Sequence, residues 1–229
     1  MRFSILICLI ILSSCGGFSG GVNSFDLFAA QAFLQKQALS PFGCKKTNPS
    51  SICFGLKYIV YENESYEPLV SEDQVRATVA KANNVWSDCD ISFILEDYEV
   101  VDPGQLDLKY QTENLSELKD IRGKFKDDRR FLVVSTGKWQ RSGSLGNTSA
   151  NAWTSMPGSS PYGIVLESPV ALNGNLLAHE LGHYLSLRHT ADETQLMNPV
   201  IYNKSKQIDE AECLKARTAA FYYWQKMLR

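Results

Sequence analysis

The chain's three histidines all fall in one stretch, His179-Glu180-Leu181-Gly182-His183-Tyr184-Leu185-Ser186-Leu187-Arg188-His189, and this constrains the fold more than any other feature. On a helix, His179 and His183 lie one turn apart on the same face, so both imidazoles can reach one metal ion. Glu180 sits beside the first His and tilts toward a metal-bound water. His189, six residues after His183, is a third candidate ligand at a suitable offset. Leu176, Leu177, Leu181 and Leu185 make the helix apolar, and polar groups buried in such a helix need partners. Two surface histidines and a third in a turn would leave that burial unexplained. Three His ligands leave Zn²⁺ one position for water. The metal lowers that water's pKa from about 15.7 to about 7, and a carboxylate takes the proton.

The chain has 229 residues, enough for one ordinary domain with a buried core. Lys and Arg number 23 against 25 Asp and Glu. This balance provides no field for gripping nucleic acid or an anionic membrane, so neither is an expected partner. Residues 1–14, MRFSILICLIILSS, read as a secretory signal peptide: a basic start, a short apolar run, then small residues. The run is too short to span a bilayer, which takes about 20 apolar residues. Leu12-Ser13-Ser14-Cys15 resembles the lipobox of bacterial lipoproteins, which implies cleavage before Cys15 and its lipidation. The expected location is the bacterial cell envelope, as an outer-membrane lipoprotein or a secreted protein, with the membrane reached by the lipid anchor alone. Cys44, Cys53, Cys89 and Cys213 then suggest two disulfides in an exported chain. Three pairings are possible; Cys44–Cys53 as a local loop and Cys89–Cys213 as a long staple is the favoured one.

Residues 15–54 read as a tether and N-terminal extension with one helical-looking piece, Phe25–Gln37. The domain proper is expected over 55–229. Strands are expected at Leu56–Tyr61, Ile91–Leu95, Phe131–Ser135, Asn151–Thr154 and Gly163–Glu167 from their β-branched and aromatic content. Ser71 with Gln74 forms a capping-box signature, and Val75, Val79, Ala82 and Trp86 recur at helical spacing, so 72–88 reads as an amphipathic helix. A short helix is expected near Ser116–Arg122, another over Asn175–Leu185, and a last one opened by Asp209 with Glu212. This mix calls for an α/β (α+β) layer fold, helices packed on a twisted sheet.

The stretch HELGHYLSLRH resembles the HExxHxxGxxH motif of the metzincin zinc endopeptidases. Leu196-Met197-Asn198-Pro199 resembles their Met-turn, most closely that of matrixin-type members. The resemblance spans about residues 56–228, with 179–199 motif-specific. It implies a twisted, mostly parallel five-stranded sheet with an active-site helix, a Met-turn and a C-terminal helix. It also implies Zn²⁺ held by His179, His183 and His189, Glu180 as general base, and Met197 as an apolar floor that does not bind the metal. No Tyr sits two residues after Met197, so a Tyr ligand is not expected. Cys44 lacks the motif of a latency cysteine.

The same resemblance implies that substrate, a protein or peptide, lies as an extra strand along Asn147–Thr154, near Asn151, Ala152 and Trp153. Pro199–Tyr202 would wall a pocket, with Pro199 and Tyr202 as its candidate residues. The chain is expected to act as a monomer. Two alternatives share these residues: a zinc hydrolase of peptidoglycan cross-links, and an inactive binding module, which would have no use for Glu180. One position departs from the motif: Ser186 stands where the family has Gly. Serine there costs about 1 kcal/mol if its φ is positive.

Overall fold

Strand β1 (Ile52–Tyr61) is buried at every position but Lys57, as a central strand covered on both faces should be. The computed structural model describes Cys44 and residues 50–229 apart from Pro169. The expected signal peptide, Cys15 as the expected lipidation site, the Phe25–Gln37 piece and most of 15–54 lie outside the described residues. β1 starts at Ile52, inside the stretch assigned to the extension. Ile52-Cys53-Phe54 is apolar enough for a strand, and Gly55 interrupts the pattern without ending it.

The remaining elements are α1 (Glu72–Trp86), β2 (Ile91–Val101), α2 (Leu115–Lys124), β3 (Phe131–Thr136), β4 (Ala152–Thr154), β5 (Ile164–Glu167), α3 (Gly174–Tyr184) and α4 (Glu210–Tyr223). The five strands form one sheet in the order β2-β1-β3-β5-β4. Every neighbouring pair is parallel except β4 with β5. This is the mostly parallel five-stranded sheet that the metzincin resemblance implies. β2 runs to Val101, past Leu95, as an edge strand on which Glu96, Glu99 and Val100 face water. There Lys57 pairs with Asp97 and Glu99. Those charges hide the strand from a search for apolar alternation.

The period of two along the strands sorts the core into two layers. Phe54, Leu56, Tyr58, Val60, Phe131 and Val133 face the helices α1, α3 and α4. Ile59, Tyr61, Leu132, Val134 and Val165 face α2 and the loop carrying Trp139 and Leu145. α1 opens on the capping box: Gln74 N donates to Ser71 Oγ, and Ser71 N donates to Gln74 Oε1. Cys44 is bridged to Cys53, and Cys89 to Cys213, with Cα separations of 5.7 and 5.0 Å. The second bridge ties the end of α1 to the start of α4.

Two tryptophans fix α3, the helix that matters for function. Trp86 Nε1 donates to the Ala178 carbonyl at 3.1 Å, locking α3 to α1. Trp224 Nε1 donates to the Tyr184 carbonyl at 2.7 Å, holding its last turn. The Tyr184 ring stacks on Phe131 of β3 at 4.2 Å between centroids.

Candidate active site

α3 begins with Asn173 as N-cap, its Oδ1 accepting from the backbone N–H of Asn175 and Leu176. It ends by a tight reversal. Ser186 N donates to the His183 carbonyl at 3.0 Å and Leu187 N to the Gly182 carbonyl at 2.9 Å. That pair of bonds is a Schellman cap, which places its C′ residue in the left-handed region. The C′ residue is Ser186, at φ 66°. The turn is therefore the one the glycine of the motif would make, and serine adopts it with the strain.

The reversal returns His189 to the helix face. Its Nε2 lies 3.2 Å from His179 Nε2 and 3.1 Å from His183 Nε2. Two nitrogens bound tetrahedrally at about 2.0–2.1 Å from one ion stand about 3.3–3.4 Å apart, so the donor set fits zinc. The far nitrogens fix the tautomers: His179 Nδ1 donates to the Leu196 carbonyl at 2.8 Å, and His183 Nδ1 to the Leu187 carbonyl at 2.9 Å. Both Nε2 lone pairs are left for a metal. Burial, reinforced by the neighbouring His183, pushes the His179 pKa down to about 3. Burial holds His183 at about 4 and lowers His189. All three are neutral near pH 7, as ligands must be.

Glu180 is buried, 4% exposed, and Thr154 Oγ1 donates to its Oε2 at 2.5 Å. Burial raises its pKa to about 7, with the Thr154 hydrogen bond opposing the rise. Met197 is fully buried, its Sδ against Gly182 of α3. A Cβ on Gly182 would lie 2.5 Å from Met197 Sδ, so a larger residue there would push the Met197 side chain out of its place in the Met-turn. The same turn supplies the Leu196 carbonyl that orients His179.

The matrixin family model, of peptidase family M10, matches residues 54–213. The chain belongs to the matrixin family. Matrixins are zinc metallopeptidases, and the three histidines of this matrixin are a group able to hold one metal ion. Comparison with curated proteins finds no match. Among solved structures, a promirolysin mutant from Tannerella forsythia is similar at TM-score 0.57 and 10% identity, over 90% of this chain and 92% of that one. At that identity the likeness speaks for the fold. Metalloproteinase-II from Bacteroides fragilis is similar at TM-score 0.45 and 11% identity, over 77% of this chain. This chain spans 60% of its length.

The matrixin's cleft has a volume of about 590 Å³ and runs past the histidines, Glu180 and β4. Asn151, Ala152, Trp153 and Pro199 line it, together with Val200 and Ile201. Tyr202 is not among the lining residues; its ring lies beneath Lys204 Nζ at 5.6 Å. Trp153 also packs against the core layer on the α2 side of the sheet. β4 closes the sheet on this side. Glu167 N donates to the Asn151 carbonyl, and Ser155 N to the Gly163 carbonyl. Odd-numbered residues therefore pair with β5, and the backbone groups of Ala152 and Thr154 point to the other side. Sequence reasoning missed Thr154 and Gly182. Thr154 shares a strand face with Ala152 by the period of two, and Gly182 lies inside the motif itself; those were the available signals.

Proposed function

We propose that this matrixin is an endopeptidase that holds one zinc ion and cuts extended peptides lying along the outer edge of β4. The observation that carries this reading is the convergence of three neutral imidazoles beside a buried carboxylate and a strand edge. His179, His183 and His189 would hold the ion through Nε2. When bound, zinc supplies Lewis acidity toward the peptide carbonyl and acidifies water.

The chain's own residues do the rest. The N–H and C=O groups of Ala152 and Thr154 pair with the substrate backbone, which gives affinity without sequence preference. Glu180 takes a proton from the attacking water as its oxygen bonds to the carbonyl carbon. It then delivers that proton to the nitrogen as the C–N bond breaks. The Thr154 hydroxyl holds the carboxylate in place for both transfers. Export with a lipid on Cys15 is part of the proposal, and the two disulfides support an oxidising compartment.

The test is mass-spectrometric mapping of a broad peptide library after incubation with zinc-loaded protein. Internal cuts that a chelator abolishes and zinc restores are expected. No cleavage, or cleavage confined to chain ends, overturns the endopeptidase reading. Fatty-acid labelling that survives Cys15→Ser overturns the lipid anchor.

A further inference from the structure

Strand β4 has only three residues and pairs with β5 on one side. It nevertheless carries both the substrate edge and Thr154, the partner of Glu180. Something must fix its position, and the contacts converge on Arg141. Its Nη1 donates to the Ala150 carbonyl at 3.0 Å. Its Nη2 donates to Asn151 Oδ1 at 2.8 Å and to Glu167 Oε2 at 2.7 Å. Its guanidinium carbon stands 5.8 Å from the centre of the Trp139 ring.

Glu167 is the last residue of β5 and is buried, with a side chain only 6% exposed. Its other oxygen, Oε1, accepts from Trp139 N at 2.8 Å. One carboxylate thus ties together the end of β5, the start of the β3–β4 loop and, through Arg141, the two residues that lead into β4. The loop is pre-shaped for this. A Cβ on Gly146 would collide with the Arg141 carbonyl. Leu145 N donates to the Glu113 carbonyl at 3.0 Å, pinning the loop's far side.

We infer that Arg141 is a positioning residue for peptide binding: with Glu167 it clamps the entry to β4 and so sets the edge against which substrate pairs. This deepens the endopeptidase reading and rests on it for the consequence in catalysis. A planar fork reaching three acceptors is specific to arginine, because a lysine ammonium is a point donor that cannot hold the same geometry.

The experiment compares wild type, Arg141→Ala, Arg141→Lys and Asn151→Ala as full-length, zinc-loaded protein. Steady-state peptide hydrolysis is measured together with amide exchange at Glu167 and Ser155, the N–H groups that join β5 and β4 at the two ends of their ladder. Hydrogen bonds to a charged group of this kind correspond to roughly a tenfold change or more. Arg141→Ala should raise KM about tenfold with a smaller fall in kcat, zinc content unchanged, and faster exchange at both amides. Arg141→Lys should recover only part of this. Asn151→Ala, which removes one acceptor at an exposed position, should shift KM in the same direction by less. A uniform loss of folded enzyme lowers apparent kcat at constant KM, and that pattern overturns the inference. So does unchanged exchange at Glu167 and Ser155 in Arg141→Ala. If wild type cleaves no peptide, the endopeptidase reading fails, and the exchange result alone decides the clamp.

Discussion

Replacing Ser186 by glycine should stabilise this protein, and replacing it by valine should damage it. Ser186 is held at φ 66° by the two hydrogen bonds that end α3. A left-handed conformation costs an L-residue about 1–2 kcal/mol, with a small polar side chain at the low end. Glycine removes that cost but gains freedom in the unfolded chain, about 0.4–1 kcal/mol in the opposite direction. The net gain is about 0.5 kcal/mol, or a rise of about 1–2 °C in Tm for a domain of this size. A β-branched side chain at positive φ is a genuine outlier, so Ser186→Val should cost about 2 kcal/mol or more. Urea unfolding at fixed free zinc measures both, since bound metal adds to apparent stability. A glycine variant less stable than wild type, or a valine variant equal to it, refutes the assignment of strain to this turn.

Gly182→Ala should cost about 1–3 kcal/mol and lower zinc occupancy, because the new methyl group displaces Met197 and with it the Leu196 carbonyl that orients His179. Thermal unfolding with metal analysis checks this; an alanine variant of full stability and full zinc refutes it. The Cys89–Cys213 bridge spans 124 residues. By the chain-entropy argument its removal in a Cys89→Ser/Cys213→Ser variant should cost about 5 kcal/mol. Equal midpoints for the oxidised wild type and that variant would contradict it.

Much of the fold is legible in the sequence where local chemistry and tertiary demand agree. Ser71 with Gln74 marks the start of α1, and Asp209, whose side chain accepts from Glu212 N, marks the start of α4. The apolar runs of β1, β3 and β5 announce buried parallel strands. The three-histidine group is legible because three histidines at those spacings have one economical arrangement. Other features depend on contacts between segments distant in sequence. The later half of β2 carries Asp97 and Glu99, which pair with Lys57, and Glu96, which pairs with Arg229, rather than apolar residues facing a core. Arg141 reads as one more charge in a polar loop until Glu167 is placed beside it. Tyr202 belongs to the segment after the Met-turn, but the chain turns so that Val200 and Ile201 take the cleft. Ser186 shows the reverse case: the motif dictates the turn so strongly that the wrong residue type still makes it.

In the proposed mechanism Glu180 moves the proton while the three histidines hold the metal. Glu180→Gln keeps the size of the side chain and its contact with Thr154 but removes the base. Zinc content and peptide turnover measured on the same preparation separate the two roles. General acid–base catalysis is worth about 10²–10⁴ in rate, so the variant should carry one zinc per chain and lose at least about a hundredfold in kcat. Near-normal turnover at full zinc occupancy would contradict the account.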